Sequence, residues 1–244
     1  MTEDARPAFY ALAPGSWRDY VTLLHPPYTL WHLSYVAIGA GLAPHLDFRV
    51  LGLALAAFFL ALGIGAHAFD ELKGRPLRTR IGSGTLAALA VVSIAGAVAI
   101  GVAVAFARDL WLLPFVACGG FLVVAYNLEL FGGRFHGDWW FAASWGGFPT
   151  LTGYFAMAER IRTEAVAAAL FATFSSLAQR HLSTQVRTVR RQVESVTGTI
   201  RFADGGEQTL AAASLTRASE RALKALATSL VCLGLALVLL HLWR

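Results

Sequence analysis

The chain has 244 residues, of which 57% are hydrophobic and only 14% are charged. Soluble domains average nearer ~25% charged residues, so this composition argues against a soluble protein and favours an integral membrane protein. The net charge of +5 suits cations held on the cytoplasmic side of a membrane, and we expect no nucleic-acid partner. Cys118 and Cys232 both lie inside apolar runs, which argues against a metal-binding cysteine cluster or a disulfide framework.

The apolar runs predict an all-α, polytopic membrane bundle of about seven transmembrane helices. Residues 1–27 are expected to form a cytoplasmic amino-terminal arm. Residues 28–180 would hold about six spans, with a charged cytoplasmic loop at 70–80. Residues 181–221 form a polar cytoplasmic segment with a predicted hairpin at 199–210, and residues 222–244 supply the last span. The predicted spans are 28–43, 49–69, 81–107, 110–130, 139–157, 165–177 and 222–243.

Two local features refine the carboxyl-terminal part of this prediction. Residues 180–195 are expected to extend the sixth helix into water. Ser214 is expected to cap the helix that becomes the seventh span, because serine is a favoured capping residue.

The distribution of lysine and arginine predicts the orientation of the chain. With the amino terminus in the cytoplasm, 15 of the 20 lysines and arginines fall on the cytoplasmic side of the predicted bundle. Such an excess is typical of cytoplasmic loops. We therefore expect a multi-pass protein of the cell membrane with a cytoplasmic amino terminus, and a site built from two charged loops on that face.

The segment from His67 to Arg80 separates two apolar runs. It carries the acidic pair Asp70 and Glu71, followed by Lys73, Arg75, Arg78 and Arg80. Charges so close to hydrocarbon are costly, which favours a functional loop. The alternative is a polar turn whose cations set the topology and whose acids pair with Lys73 or Arg75.

The order of four segments resembles that of the UbiA superfamily of membrane prenyltransferases. These segments are His25-Pro26-Pro27-Tyr28-Thr29-Leu30, the run from Gly65 to Gly74, the passage from Tyr126-Asn127 through Trp145 to Tyr154, and Gly205-Gly206-Glu207-Gln208-Thr209-Leu210. The resemblance implies an enzyme that binds an isoprenyl diphosphate at its cytoplasmic face. It would transfer the prenyl chain to a lipophilic acceptor or cyclise it, in contact with membrane lipids.

In that family two acidic motifs hold magnesium ions, which in turn hold the diphosphate. From the first motif this chain keeps Asp70, whereas His67 stands where its partner aspartate is expected and Ala66 where an asparagine is expected. Glu71 is adjacent and could substitute.

The second acidic motif is not preserved. In its place the chain carries Gln185, Arg187, Arg190 and Arg191. The family also has nine spans as a rule, whereas seven are predicted here.

The resemblance, together with the affinity of guanidinium groups for phosphate oxygens, gives each candidate residue an expected role. Asp70 and His67 would be catalytic, and Asp70 and Glu71 would bind Mg²⁺. The diphosphate would be bound by Lys73, Arg75, Arg78, Arg80, Arg187 and Arg190, and the cavity would be lined by His32, Tyr126, Asn127 and Trp145.

Two alternatives remain open at this point. The arginines could contact anionic lipid headgroups, which attract cations near a membrane, and the polar residues within spans could form helix-to-helix hydrogen bonds. The chain could then be a non-catalytic lipid-binding or scaffold protein that docks a protein partner through residues 181–221.

Overall fold

The structure, a computed structural model, describes residues 6–243, so residues 1–5 of the predicted arm and Arg244 lie outside the described residues. The chain is 75% helical. The helices are α1 (Trp17–Leu23), α2 (Pro26–Leu42), α3 (Phe48–Phe58), α4 (His67–Gly74), α5 (Ser83–Ala107), α6 (Leu112–Asn127), α7 (Leu130–Gly133), α8 (Asp138–Ala142), α9 (Phe148–Ala158), α10 (Thr163–Gln192) and α11 (Ala212–Leu239).

Three shorter helical elements and a two-stranded hairpin complete the described chain. A π-helical segment, Phe59–Ala66, joins α3 to α4, and a second one, Ala143–Gly147, joins α8 to α9. A 3₁₀ turn, Leu240–Leu242, follows α11. The hairpin predicted at 199–210 is confirmed, since β1 (Thr199–Arg201) pairs antiparallel with β2 (Glu207–Thr209).

Three helical stretches are long and apolar enough to cross a membrane. They are Phe48–Gly74, Ser83–Ala107 and Ala212–Leu242, whereas the apolar helix Leu112–Asn127 is shorter. A nearly all-α chain with three such helices indicates membrane association. The count of seven spans and the cytoplasmic amino terminus stay predictions.

The predicted loop at 70–80 begins five residues before the loop in the structure, which starts at Arg75. The first π-helical segment runs directly into α4, so the helical stretch from Phe48 continues to Gly74 and carries Asp70 and Glu71. It ends where Arg75 adopts a left-handed conformation with φ of 50°. The connecting loop is therefore 75–82, and the acidic pair belongs to a helix.

The carboxyl-terminal elements also differ in part from the prediction. The extension of the sixth helix is confirmed, because α10 continues to Gln192. Ser214 is not the N-cap residue, since α11 begins at Ala212, but it helps to cap the helix from its first turn, where its hydroxyl accepts a hydrogen bond from the Ala211 backbone N–H. The last helix thus begins two residues before the predicted cap at Ser214, and it continues into the span predicted from 222.

Helix α2 lies at the centre of the bundle, between α9 and α11. Its contact with α9 is close because each helix offers a glycine to the backbone of the other. A Cβ atom on Gly39 would collide with the Thr150 carbonyl oxygen, and one on Gly153 would collide with the Val36 carbonyl oxygen. This contact fixes the position of α2, whose first turns form one wall of the site described next.

Candidate ligand-binding cavity

A polar cavity of about 410 Å³ lies between the amino-terminal arm, α2, α4, α6 and α10. The charged and hydrogen-bonding side chains on its walls are Tyr10, His25, Tyr28, His32, His67, Asp70, Lys73, Tyr126, Asn127, Glu129, His136, Gln179, Arg180, Ser183, Arg187 and Arg191. Elements distant in the sequence thus meet here, and the arm covers the cavity with residues 7–10.

Asp70 supplies the carboxylate of the α4 wall. Within residues 6–243, no hydrogen bond or ion pair joins its oxygens to another side chain. The charged groups that interact with it electrostatically are Arg187, His136, Arg191 and Arg180. A carboxylate without a direct partner therefore faces a cationic wall.

The cationic wall belongs to α10. Arg180, Arg187 and Arg191 are separated by seven and four positions, so they share one face of the helix. Arg180 Nε donates to Asp138 at 3.0 Å, and Arg191 Nε donates to the Pro7 carbonyl at 3.2 Å. A guanidinium has five N–H donors, so each retains donors for an anionic ligand.

Three cavity histidines are held in one tautomer by backbone carbonyls. The Nδ1 atoms of His32, His67 and His136 lie 2.9 to 3.0 Å from carbonyl oxygens of Trp145, Gly63 and Tyr126, respectively. Because a carbonyl oxygen only accepts hydrogen bonds, each Nδ1 carries the proton. In the neutral ring Nε2 is then an acceptor.

Two of these three carbonyls belong to the π-helical segments. Gly63 lies in the first and Trp145 in the second. A π-helix replaces the usual i to i−4 pattern by longer bonds, and single turns of it occur often at functional sites. Each segment thus offers a carbonyl to an imidazole at the cavity.

The cavity also holds the orphaned polar atoms of the bundle. Among the described residues, the buried side-chain atoms without a hydrogen-bond partner are His25 Nε2, Tyr126 Oη and Gln179 Oε1. All three residues line this cavity. Buried polar groups are normally paired, so the cavity is suited to a polar ligand or to ordered water.

An apolar groove of about 110 Å³ adjoins the polar cavity. It lies between α3, the first π-helical segment, α5, α6 and α9, and its walls include Phe58, Leu62, Ile94 and Phe148. Trp145 lines both the groove and the cavity. A charged site and an apolar site therefore meet at the side chain of Trp145, which belongs to the walls of both.

The structure brings together much of the predicted site. The predicted residues on the cavity wall are His32, His67, Asp70, Lys73, Tyr126, Asn127, Trp145 and Arg187. Lys73 forms an ion pair with Glu129 at 2.7 Å, and both side chains are exposed at the rim.

Glu71 does not reach the cavity. Its carboxylate is fully buried and accepts hydrogen bonds from the backbone N–H groups of Leu77 and Thr79 and from the Thr79 hydroxyl, all within 2.9 Å. These bonds hold the 75–82 loop against α4. Glu71 is therefore not placed to bind a metal ion in the cavity.

Four predicted diphosphate ligands also lie outside the cavity lining. Arg75 donates to the Ile81 carbonyl and to Ser83, so it closes its own loop. Arg78 and Arg80 are exposed. Arg190 forms an ion pair with Glu220 at 2.6 Å.

Several cavity residues were not among the predicted site. They are Tyr10, His25, His136, Gln179, Arg180 and Arg191. The helical spacing of Arg180, Arg187 and Arg191 could have indicated a common face. The position of Tyr10 depends on long-range contacts and has no local signal.

The side chains of the cavity supply only some of the oxygen ligands that one magnesium ion needs. Among residues 6–243, no group of three or more histidine, cysteine, aspartate or glutamate side chains is arranged to hold a metal ion. Mg²⁺ commonly takes one or two protein carboxylates and completes its shell with water and substrate phosphates. Asp70 meets that requirement if a diphosphate supplies further oxygens.

Comparisons with family models, curated proteins and solved structures find no match. None of them bears on the resemblance to the UbiA superfamily, which stays a prediction from the four segments. Function is therefore inferred from the residues of the cavity.

Proposed function

We propose that this chain is a prenyltransferase-like membrane enzyme that binds an isoprenyl diphosphate and transfers or cyclises its prenyl group. The observation that carries the proposal is that a cationic cavity and an apolar groove meet at Trp145. A ligand that suits both has an anionic head and a hydrocarbon tail. The resemblance of the four segments to the UbiA superfamily points to the same class of ligand.

In this proposal Arg180, Arg187 and Arg191 bind the diphosphate. Guanidinium groups match phosphate oxygens with paired, charge-assisted hydrogen bonds. When the allylic carbon–oxygen bond breaks, negative charge grows on the leaving diphosphate, and cations already in place stabilise it. The α10 arginines thus take the role expected of Arg75, Arg78 and Arg80.

Asp70 is proposed to hold Mg²⁺ together with diphosphate oxygens. The bound ion would neutralise charge on the leaving group. The arm at residues 7–10 covers the cavity and would limit access of water to a reactive allylic group. The rings of Tyr126 and Trp145, whose centroids are 4.5 Å apart, would face that group from the other side.

Thermal unfolding of the purified chain in detergent tests this proposal. Geranyl, farnesyl and geranylgeranyl diphosphate are added with and without Mg²⁺, since a ligand that binds only the folded state raises its stability. We expect a rise in Tm that grows with Mg²⁺ and that is lost in Asp70→Asn. Glu194→Gln removes an exposed carboxylate and is the matched control.

Two results would contradict parts of the proposal. Stabilisation that is equal with and without Mg²⁺ would remove the metal role of Asp70 and leave the arginines as the binding groups. No stabilisation by any of the diphosphates would remove the enzyme proposal as a whole.

A non-catalytic lipid-binding or scaffold function is the second candidate. The observation that favours it is the hairpin of β1 and β2, on which Ile200 and Phe202 are exposed to solvent. Exposed apolar side chains on a projecting hairpin suit a protein partner. Release of inorganic diphosphate from farnesyl diphosphate by the purified chain would favour the enzyme over this alternative.

A further inference from the structure

Four of the seven histidines in the chain line the polar cavity, although the proposed diphosphate site uses none of them. These are His25, His32, His67 and His136. They come from four parts of the chain: the residue before α2, α2 itself, the first residue of α4, and the turn before α8. Four histidines from distant segments that line one cavity suggest a common function.

The imidazoles of His32 and His67 offer acceptors. Their Nδ1 protons are engaged by the carbonyls of Trp145 and Gly63. Within the described part of the chain, nothing donates a hydrogen bond to either Nε2. Each ring therefore offers an Nε2 lone pair for a hydrogen-bond donor on a ligand.

His25 adds to the same wall. Its ring stacks on that of His67, and its buried Nε2 has no partner among the described residues. Two stacked imidazoles repel each other when both are charged, and the α10 arginines disfavour further positive charge here. Burial is the main cause that lowers the pKa of His25 well below its usual value. The stacked pair is thus an uncharged, hydrogen-bonding surface.

We propose that His25, His32 and His67 form a second subsite, which binds the hydroxyl group of an uncharged alcohol or phenol. The hydroxyl donates its hydrogen bond to an imidazole Nε2. A carboxylate suits this wall poorly, because it has no proton to donate and its lone pairs would face those of the imidazoles. The arginine wall would attract such an anion instead.

This subsite names the acceptor class for the proposed prenyl transfer, and its chemical role rests on that function. The hydroxyl oxygen forms a bond with the allylic carbon of the prenyl group. The bond from that carbon to the diphosphate breaks, and its electron pair stays on the diphosphate. The hydroxyl proton passes to an imidazole Nε2, so no further reactant is needed.

Binding of three matched probes tests the subsite. The full chain in detergent is titrated by calorimetry with 4-methylphenol, with its methyl ether 4-methylanisole and with 4-methylbenzoate. The phenol is expected to bind about fivefold more tightly than the ether, which cannot donate a hydrogen bond. His67→Phe keeps a ring against His25 but removes the acceptor, and it should lose this preference.

His181→Phe is the control variant, because His181 is exposed on α10 and does not line the cavity. Equal affinity of the wild-type chain for the phenol and the ether would overturn the subsite, even if His67→Phe failed to fold. A preference for the phenol that persists alike in folded His25→Phe, His32→Phe and His67→Phe variants would also overturn it. Weaker binding of 4-methylbenzoate by a folded His67→Phe variant would overturn the preference for an uncharged ligand, because that anion is expected at the arginine wall and not at this subsite.

The outcome is separable from that of the proposed function. Stabilisation by farnesyl diphosphate without a preference for the phenol would remove the hydroxyl subsite and keep the diphosphate site. A preference for the phenol that depends on His67, without any effect of the diphosphates, would keep the subsite and remove the transfer reaction.

Discussion

The rings of His25 and His67 lie face to face, with centroids 3.9 Å apart and planes inclined by 16°. The stack joins the start of α2 to the start of α4 at the floor of the polar cavity. Burial, with a smaller contribution from His67, lowers the pKa of His25 well below its usual value. The free energy of unfolding is therefore expected to depend on pH through His25.

Acid is expected to destabilise the fold through His25. In the unfolded chain a histidine binds a proton near pH ~6.5, whereas the folded state keeps His25 uncharged to a lower pH. Between those two values the unfolded state binds more protons, so the free energy of unfolding falls as the pH falls. His25→Phe keeps an aromatic ring and should reduce the loss of Tm between pH 7 and pH 5.

His45→Phe provides the matched control, because His45 lies exposed in the connection from α2 to α3. Thermal unfolding is measured for both variants and the wild-type chain in one detergent at each pH. An identical decrease in Tm for wild type and His25→Phe would contradict the assignment of this acid sensitivity to His25.

Glu71 is expected to be essential for stability rather than for binding. Removing its carboxylate in Glu71→Ala leaves the backbone N–H groups of Leu77 and Thr79 buried without an acceptor. The expected loss is about 3 kcal/mol in the free energy of unfolding. Glu71→Gln keeps one carbonyl acceptor and should lose less.

Chemical unfolding of the three proteins measures this difference. Glu207→Ala removes a glutamate from an exposed ion pair with Arg201 and should change stability by less than about 1 kcal/mol. A Glu71→Ala variant as stable as Glu207→Ala would show that the buried hydrogen bonds do not hold the loop.

The long helices could be predicted from the sequence because their signal is local and extended. The long apolar run predicts α5, and the glycines of the turn predict the hairpin. The end of α4 was misplaced because Asp70 and Glu71 were interpreted as solvated. In the folded chain the Glu71 carboxylate accepts hydrogen bonds from the loop that follows it. The helix can therefore continue through this charged residue.

Much of the cavity could not be predicted, because its walls are joined by contacts between distant residues. Asp70, His67 and Trp145 could be identified from the resemblance of short segments. The arm gave no such signal, since the bond from Arg191 to Pro7 spans 184 positions. The tautomers of His32 and His67 depend on carbonyls in π-helical turns, and those turns have no recognised pattern in this sequence.

The close contact between α2 and α9 predicts that one added methyl group lowers the free energy of unfolding. Gly153→Ala would direct its Cβ at the Val36 carbonyl oxygen, which is backbone and cannot turn aside as a side chain can. The helices would have to separate, at an expected loss of about 2 kcal/mol. Because α2 carries His32, the affinity for cavity ligands should decrease as well.

Gly52→Ala is the control for this substitution, because a Cβ atom at Gly52 in α3 meets no other atom within 4 Å. It should remain within about 1 kcal/mol of the wild-type chain. Equal stability of Gly153→Ala and Gly52→Ala would show that α2 and α9 tolerate separation.

The arm is expected to be held over the cavity by Arg191. Its Nε donates to the Pro7 carbonyl, and Ala8 and Ala11 pack against Leu77 of the 75–82 loop. Arg191→Gln removes the hydrogen bond from the guanidinium, so amides of residues 8–12 should exchange with deuterium about fivefold faster. Arg187→Gln is the matched control, because Arg187 lies one turn earlier and donates to Thr184 instead.

Hydrogen–deuterium exchange read by mass spectrometry distinguishes the two variants within one peptide. If only Arg191→Gln exchanges faster, the Arg191 guanidinium holds the arm over the cavity in addition to lining its wall. A diphosphate would bind the remaining N–H donors of Arg191 and leave its bond to the Pro7 carbonyl in place, so adding it to the wild-type chain should not speed exchange in the arm. Equal exchange of residues 8–12 in both variants would mean that the other contacts of the arm keep it in place, among them the packing on Leu77 and the bond from Arg190 to the Arg6 carbonyl.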